Sequence, residues 1–489
     1  MKKYILLFTI LTAGILSSCK DWLTVYPDDE IASGDLYKDG EGFRTALNGI
    51  YQQLSGKDLY GQNLTYGVVE AMGQMYDNAY LNSGINNPVY YASDLDYKRF
   101  STTINNVWSK MYNSIANCNN LIQEIEKVDS NIFEYKNQEK IMITGEAYAL
   151  RGFMHFDLLR LFAPSVAEDN GQKYIPYSST YPSIMSERKS VQDVLELVVK
   201  DLLTARELAA QDTLPENVQA INTEYNRIGN GGWGNGNRGT FWRMRGTHMN
   251  YHNITALLAR VYLYAGNLEK AYEYASEVLA FPGTNSWTPA YKYPSSWEFS
   301  GNRKSKGDIL LAFFNGQVTD YHNDFFNDIS YGFLAIRHHD LLFSDKTDYR
   351  YSQMSSSPKT GMRISIKYQK EETESNERVN GPLIPVMRMG EMVYIVSEYM
   401  ARKGDIEGAS DFIHTNLRQK RGCINPLPPV SELNDFLTEM ALDARRELVE
   451  EGQMFFMYKR LNTPIWDGER NKINMAGKWV WDIPSSENL

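Results

Sequence analysis

Cysteine is scarce in this chain, and a surplus of positive charge is absent. The 489 residues include three cysteines and carry a formal net charge of −10. Nucleic-acid binding needs clustered lysine and arginine, so this charge argues against that class of function. Cys118 falls on a predicted helix and Cys423 follows another, which leaves open whether the two pair. Two buried thiols are the favoured interpretation.

Long apolar runs are also missing, apart from one at the N-terminus. Lys2 and Lys3 precede an apolar stretch at residues 5–16. About 12 apolar residues are too few to cross a bilayer, which takes roughly 20, so residues 1–18 are interpreted as a signal peptide. The sequence Leu-Ser-Ser-Cys at residues 16–19 matches a lipoprotein cleavage box and predicts acylation of Cys19. Ordinary secretory cleavage is the alternative. With a covalent diacylglycerol and an N-acyl lipid on Cys19, several acyl chains anchor the protein.

Catalytic motifs are not evident. A glycosidase needs two carboxyl groups about 5 to 9.5 Å apart, and adjacent pairs such as Glu371 and Glu372 are not singled out for that role. His248 and His252 have the i, i+4 spacing of metal ligands but lack the glutamate of a His-Glu-x-x-His motif. No metal or cofactor is expected, and the sequence predicts no enzyme.

Aromatic residues, by contrast, are abundant. The chain has 33 tyrosines, 20 phenylalanines and 9 tryptophans. Tyrosine and tryptophan combine a flat apolar face with a hydrogen-bonding tip, which suits stacking on sugar rings. The composition therefore permits a carbohydrate-binding protein.

Apolar residues recur at helical spacing through much of the chain. The predicted helices span residues 41–54, 104–128, 138–162, 190–210 and 432–461. Ser190 is the predicted N-cap of the fourth of them. Two further stripes, separated by Gly266 and Asn267, predict a tetratricopeptide-like helical pair near residues 251–280. The sequence Gly-Asp-Ile-Glu-Gly-Ala at residues 404–409 echoes this turn and predicts a second pair at about 388–421.

Two segments lose the helical period and are rich in aromatic rings. The first is 56–102 and the second is 281–385. Irregular segments of this length in a compact domain are usually functional or disordered. Rings beside amide and carboxylate groups make two clusters the candidate ligand-binding residues: Tyr76, Asp77, Asn78 and Tyr80 in the first segment, and Trp287, Tyr291, Tyr293 and Trp297 in the second.

Four blocks of sequence resemble the SusD/RagB outer-membrane lipoproteins of Bacteroidetes. They are CKDWL with VYP at 19–27, EAYALRGFMHFDLLRLF at 146–162, ALLARVYLYAG at 256–266 and RRELVEEGQMFFMYKRL at 445–461. Their order and spacing cover nearly the whole mature chain. Ala163 and Pro164 stand where that family usually has glycine, a change confined to a helix end.

The resemblance implies a mainly α fold, with a tetratricopeptide-like helical-pair scaffold and a large loop-rich insertion subdomain. The expected parts are a signal peptide at 1–18, a lipidated tether at 19–40, a helical N-terminal part at 41–280, the insertion at 281–385, and a C-terminal helical part with its tail at 386–489. Charged residues in the blocks are interpreted as ion pairs on helix faces: Arg151, Arg160, Arg445, Arg446, Glu447 and Glu450.

The resemblance also implies a function at the cell surface. Such a protein is lipid-anchored to the outer membrane, binds oligosaccharide or polysaccharide, and delivers it to a SusC-like TonB-dependent transporter. One alternative is a protein- or peptide-binding lid of the transporter with no glycan affinity of its own, and a glycoside hydrolase is a weaker one. No nucleic-acid partner is expected, and which glycan is bound lies beyond the sequence.

Overall fold

A computed structural model gives the fold of the chain. It describes residues 36–84, 87–182, 187–229, 239–281, 283, 290–293, 302–325, 331–356, 361–466, 468 and 472–487. The predicted lipid attachment at Cys19 and the candidate residues Trp287 and Trp297 lie outside these ranges.

Helices dominate the described residues, as the sequence predicted. In chain order they are α1 (Gly40–Leu54), α2 (Val68–Met72), α3 (Pro88–Ser93), α4 (Ser101–Glu126), α5 (Lys136–Phe162), α6 (Val191–Leu208), α7 (Glu224–Arg227), α8 (Tyr251–Tyr264), α9 (Leu268–Leu279), α10 (Val318–Asn323), α11 (His339–Leu342), α12 (Glu374–Asn380), α13 (Met389–Arg402), α14 (Ile406–Ile413), α15 (Leu433–Glu447) and α16 (Met454–Leu461). Ser190 caps α6 through a reciprocal capping box with Asp193. Within the described residues, no helix has both the length and the apolar character that a bilayer crossing demands.

The strands are short and pair only in twos within the described residues. They are β1 (Lys173–Pro176), β2 (Arg188–Ser190), β3 (Ile309–Phe314), β4 (Met354–Ser356), β5 (Arg363–Ser365), β6 (Leu383–Arg388), β7 (Ile465–Trp466) and β8 (Lys472–Ile473). The antiparallel pairs are β1–β2, β3–β6, β4–β5 and β7–β8. Strand β3 lies within the predicted insertion and pairs with β6 at the end of that insertion. The boundaries of the insertion remain predictions.

The two predicted helical pairs, α8–α9 and α13–α14, are both present. Each turns at a glycine with positive φ, +78° at Gly266 and +97° at Gly404, a conformation that glycine adopts without steric cost. The pairs also pack against each other, although they are far apart in sequence. The ring of Tyr272 on α9 stacks on Tyr399 of α13 with 4.3 Å between centroids. The insertion therefore separates two units of one continuous scaffold.

The longest helix, α5, lies at the centre of the core against α6. Two small residues let the helices approach closely. A Cβ atom added at Gly152 would lie 3.3 Å from Leu202, and one added at Gly145 would lie 3.0 Å from Leu208. Since α5 is buried along most of its length, its sequence block contributes to the scaffold.

The prediction of one helix at 432–461 is wrong, because α15 and α16 are separate. Between them Glu450 and Gly452 have φ of +62° and +67°, which no α-helix contains. The carboxylate of Glu70 holds this break, accepting hydrogen bonds from the backbone N–H of Glu450 at 2.5 Å and of Gly452 at 2.9 Å. A partner distant in sequence therefore replaces the helical hydrogen bonds.

The charged residues of the sequence blocks are structural, as predicted, but most do not form surface pairs along one helix. Arg151 on α5 makes a bidentate pair with Asp201 on α6, at 2.7 Å for both bonds. Arg445 donates to the backbone oxygens of Gly73 and Gln74 at 2.9 and 2.6 Å. These groups are buried and join separate elements, an arrangement that helical spacing does not reveal.

The two cysteines of the described residues do not pair with each other. Cys118 and Cys423 are both free and buried, as the favoured interpretation had it. Burial raises the pKa of the Cys118 thiol to about 12, which keeps it protonated and unreactive.

Candidate ligand-binding site

A short antiparallel ladder joins the first aromatic segment to the insertion. Tyr76 bridges to Ile336, and Leu81 bridges to Gly332. At one end of this ladder, the backbone N–H of Arg337 donates to the carbonyl oxygen of Met75 at 2.9 Å. The pairing brings Asn78 and the adjacent residues Arg337 and His338 to the same cleft.

At this junction lies a pocket of about 430 Å³, here named the Asn78 pocket. Its volume falls within the range of small-molecule sites. Residues from four parts of the chain line it: Gln74, Asn78, Ser93, Asp94, Leu95, Arg337, His338, Ile473 and Lys478. Most of these side chains are polar, so the pocket offers hydrogen bonds to a hydrated ligand.

Two oxygens in the wall of the Asn78 pocket have unused hydrogen-bonding capacity. The amide nitrogen of Asn78 donates to Asp94 at 2.5 Å. The amide oxygen of Asn78 and the hydroxyl of Ser93 are buried and find no partner among the described residues. A buried polar atom without a partner costs about 1–3 kcal/mol, and in native proteins it calls for an explanation. A ligand hydroxyl in the pocket would supply the missing bond.

Backbone strain is concentrated around the same pocket. Gln74 and Leu95 each have a φ of +57°, and His338 has a φ of +47°. Residues other than glycine seldom adopt this left-handed backbone conformation, which costs them about 1–2 kcal/mol each. Three such residues lining one pocket indicate that its shape is held against local preference, which is typical of binding sites.

The side chain of Gln74 connects two of the segments that line the pocket. Its amide nitrogen donates to the carbonyl oxygen of Ser93 at 2.7 Å, and its amide oxygen accepts from the Arg337 guanidinium at 2.9 Å. On the far side, the imidazole of His338 lies so close to Gly468 that a Cβ atom there would come within 1.9 Å of the ring. The pocket is therefore preformed, and little ordering entropy would oppose binding.

The first predicted cluster contributes one residue to the pocket. Asn78 lines it, while Asp77 accepts from the backbone N–H of Ala79 at 3.0 Å and caps the turn that presents Asn78. The ring of Tyr76 is fully buried, and its hydroxyl donates to the carbonyl oxygen of Tyr66 at 2.6 Å. Tyr80 is half-buried in the same turn. In this arrangement Tyr76 holds the segment in place and offers no ring face to a sugar.

The second predicted cluster is described only in part. Tyr291 is buried, with the guanidinium of Arg227 3.9 Å above its ring and His252 3.1 Å from its hydroxyl. Tyr293 is half-buried, with Arg421 4.7 Å from its ring centroid. Both rings pack on buried arginines, and neither belongs to the lining of the Asn78 pocket. For Trp287 and Trp297 a binding role stays a prediction.

Sequence patterns did not identify several of the residues that line the Asn78 pocket. Ser93, Arg337, His338 and Lys478 come from separate segments, and no short motif contains two of them besides the adjacent Arg337 and His338. The available signal was the polar, turn-rich character of 56–102. It marked one wall of the pocket and could not identify the wall that folds against it.

The histidines with metal-like spacing have other partners. His248 precedes α8, and its Nδ1 atom lies 3.0 Å from the Glu146 carboxylate. His252 stacks on Phe281 with 3.8 Å between centroids. The described residues contain no group of three or more potential metal ligands.

Known proteins resemble this chain in sequence and in fold. Residues 21–226 match a family model described as "Starch-binding associating with outer membrane". SusD-like protein P38 of Formosa agariphila is 22% identical over 531 residues, covering 95% of this chain and 93% of that protein.

Solved structures share the fold over nearly the whole chain. A SusD superfamily protein from Bacteroides thetaiotaomicron has a TM-score of 0.65 and 22% identity, covering 90% of this chain and 93% of that one. A SusD-like carbohydrate binding protein from Bacteroides vulgatus has a TM-score of 0.66 and 18% identity, covering 92% and 96%.

Proposed function

The chain belongs to the SusD/RagB family, and from this we propose that it is a glycan-binding lipoprotein of the cell surface. It captures an oligosaccharide or polysaccharide and delivers it to a partner TonB-dependent outer-membrane transporter. Acyl chains on Cys19 hold it to the outer membrane. The description of the matching family model, with its starch binding and outer-membrane association, supports this proposal.

The Asn78 pocket is the binding site in this proposal. The observation that carries it is that two residues lining a polar pocket, Asn78 and Ser93, each have a buried oxygen, Oδ1 and Oγ, without a partner among the described residues. Sugar hydroxyls lose their water on binding and need hydrogen-bond partners in exchange. The amide oxygen accepts, and the serine hydroxyl both donates and accepts, so the two atoms suit neighbouring hydroxyl groups.

Binding without hydrolysis is the expected outcome at this pocket. Glycoside hydrolysis usually requires two carboxyl groups across the scissile bond. In the described lining of the Asn78 pocket, Asp94 is the one carboxylate, and it already accepts a hydrogen bond from Asn78. The residues favour a receptor over a glycoside hydrolase.

Calorimetric titration of the mature chain, with Cys19→Ser to keep it in solution, tests the proposal against a panel of polysaccharides. At least one glycan should bind, and the double substitution Asn78→Ala with Ser93→Ala should weaken it about tenfold or more. Asn434→Ala, an exposed asparagine on α15, is the matched control and should leave affinity unchanged.

Three outcomes separate the alternatives. No heat with any glycan, alongside tight capture of the purified transporter, would favour the protein-binding lid. Shortened oligosaccharides in the titrated samples would identify a hydrolase. Glycan binding that survives the double substitution would place the site elsewhere.

A further inference from the structure

A second pocket, here named the Lys200 pocket, opens on the helical scaffold. It has a volume of about 370 Å³ and shares no residue with the Asn78 pocket. Helices α5 and α6 and the β1–β2 hairpin with the loop after β1 provide its lining: Tyr148, Arg151, Tyr177, Ser179, Lys189, Leu197, Lys200, Asp201 and Thr204. Nothing in the proposed capture of glycan at Asn78 uses this pocket.

Its floor is a saturated hydrogen-bond network. Asp201 accepts two bonds from Arg151 at 2.7 Å and a third from the hydroxyl of Tyr177 at 2.6 Å. The remaining guanidinium nitrogen of Arg151 donates to Asn119 at 2.9 Å. The negative charge of Asp201 is therefore cancelled within the floor and is not available to a ligand or to the lysines above it.

Two lysines, Lys189 and Lys200, line the pocket above this floor. Neither Lys189 nor Lys200 makes a side-chain hydrogen bond or an ion pair with any described residue. Glu187, two residues before Lys189, lies 3.7 Å from Lys173, and Asp193 accepts hydrogen bonds from the backbone N–H and the hydroxyl of Ser190. These bonds and, to a smaller extent, the charge of Lys189 lower the pKa of Asp193, so that carboxylate balances part of the Lys189 charge. In a chain with a net charge of −10, a pocket whose lining includes two lysines without an ion-pair partner among the described residues is an attractive site for an anion.

The rest of the lining suits a sugar ring better than a bare ion. The half-buried ring of Tyr148 forms one wall, with the Arg151 guanidinium 4.9 Å from its centroid. The hydroxyls of Ser179 and Thr204 add groups that both donate and accept. The pocket thus combines a flat aromatic wall, hydroxyl partners and two cations.

We propose that the Lys200 pocket binds an anionic sugar unit, with Lys189 and Lys200 holding its carboxylate or sulfate group. The identity of the ligand as a glycan rests on the proposed function, while the requirement for negative charge does not. A concave pocket with hydroxyl groups favours a sugar over a membrane surface, which would need an exposed apolar face.

Matched pairs of polymers test this proposal on the mature chain with Cys19→Ser. Polygalacturonate is compared with its carboxyl-reduced form, and dextran sulfate with dextran, by calorimetric titration at low salt. Wild type should bind at least one anionic member more tightly than its neutral partner. Lys189→Ala with Lys200→Ala should weaken that binding roughly 3- to 30-fold, the combined effect of two partly exposed ion pairs.

Lys110→Ala with Lys420→Ala is the control, because both lysines are exposed, lie outside the pocket and change the net charge equally. An anionic preference that is absent, or that both double variants lower equally, would overturn the proposal. So would binding to phosphatidylglycerol vesicles that depends on the same two lysines. Neutral glycan that still binds and depends on Asn78 and Ser93 would leave the proposed function intact in each case.

Discussion

Glu447 and Arg421 form a fully buried ion pair in which the Nε atom of Arg421 donates to the Glu447 carboxylate at 3.0 Å. The same carboxylate accepts from Arg350 at 3.0 Å and from Arg388 at 3.3 Å. These arginines come from the insertion and from both sides of the second helical pair. Glu447 on α15 therefore joins the insertion to the residues on either side of the second helical pair.

Replacing Glu447 with glutamine should destabilise the fold strongly. The substitution removes a counter-charge that three buried guanidinium groups share, and breaking a buried ion pair costs about 3–5 kcal/mol. Asp308 still pairs with Arg388 and Arg421, and Asp348 still pairs with Arg350. Urea unfolding followed by circular dichroism measures the change in the free energy of unfolding. Glu372→Gln, at a glutamate whose side chain is mostly exposed, is the control and should cost less than about 1 kcal/mol. Equal losses in the two variants would contradict the anchoring role.

Acid should unfold the protein within a defined range of pH. Burial alone would raise the pKa of Glu447, but Arg421 and Arg388 outweigh it and lower the pKa from 4.5 to about 2. Arg245 and His248 overcome burial in the same way at Glu146, whose pKa also falls to about 2.

The pKa values of Glu146 and Glu447 are lower in the folded protein than in the unfolded chain. Between about pH 2 and pH 4.5 the unfolded chain therefore binds more protons at these two residues. The stabilisation is complete above about pH 4.5 and is lost as the pH falls towards 2. Urea midpoints measured from about pH 4.5 to pH 3 should drop. A midpoint that rises below pH 4.5 would show that the sign is wrong.

Gly452→Ala should destabilise the protein far more than Gly477→Ala. Both glycines have positive φ, +67° and +71°, so alanine costs about 1–2 kcal/mol of backbone strain at either position. A Cβ atom at Gly452 would also lie 2.1 Å from the carbonyl oxygen of Leu64, whereas at Gly477 nothing lies within 4 Å. Thermal unfolding of the two variants isolates the cost of this close approach. Similar melting temperatures would mean that the break between α15 and α16 relaxes freely.

Neither Cys118 nor Cys423 should react with N-ethylmaleimide in the folded protein. Burial raises the pKa of the Cys118 thiol to about 12 and that of Cys423 to about 11. Mass spectrometry of the Cys19→Ser chain should find no label before urea is added and two labels afterwards. Ile424→Cys, at a side chain that is 71% exposed, provides the reactive control. Rapid native labelling at Cys118 would contradict its burial.

Trp287→Ala with Trp297→Ala should weaken glycan binding if the second aromatic cluster belongs to the site. Stacking contributes about 1–3 kcal/mol per ring on the scale measured for nucleic-acid bases. Calorimetric titration compares this variant with Tyr272→Ala, a partly exposed ring on the scaffold helix α9. A folded double variant that keeps full affinity would remove both tryptophans from the site.

The helical scaffold could be predicted from the sequence because its signal is local. Apolar stripes at spacings of three and four residues located α1, α4, α5 and α6, and the glycine turns located both helical pairs. The same local reasoning failed between α15 and α16. There the apolar stripe continues, but the carboxylate of Glu70, far away in sequence, holds the backbone out of the helix.

The sequence alone determined the mainly α fold, the two helical pairs and the aromatic-rich segments, because each depends on neighbours a few residues apart. Tertiary structure decided which of those aromatic residues became core and which polar groups met in a pocket. Tyr76 is buried and Asn78 lines a cleft, although two positions separate them. That difference arises because the chain near Arg337 folds against the segment, and contacts between distant segments leave no period in the sequence.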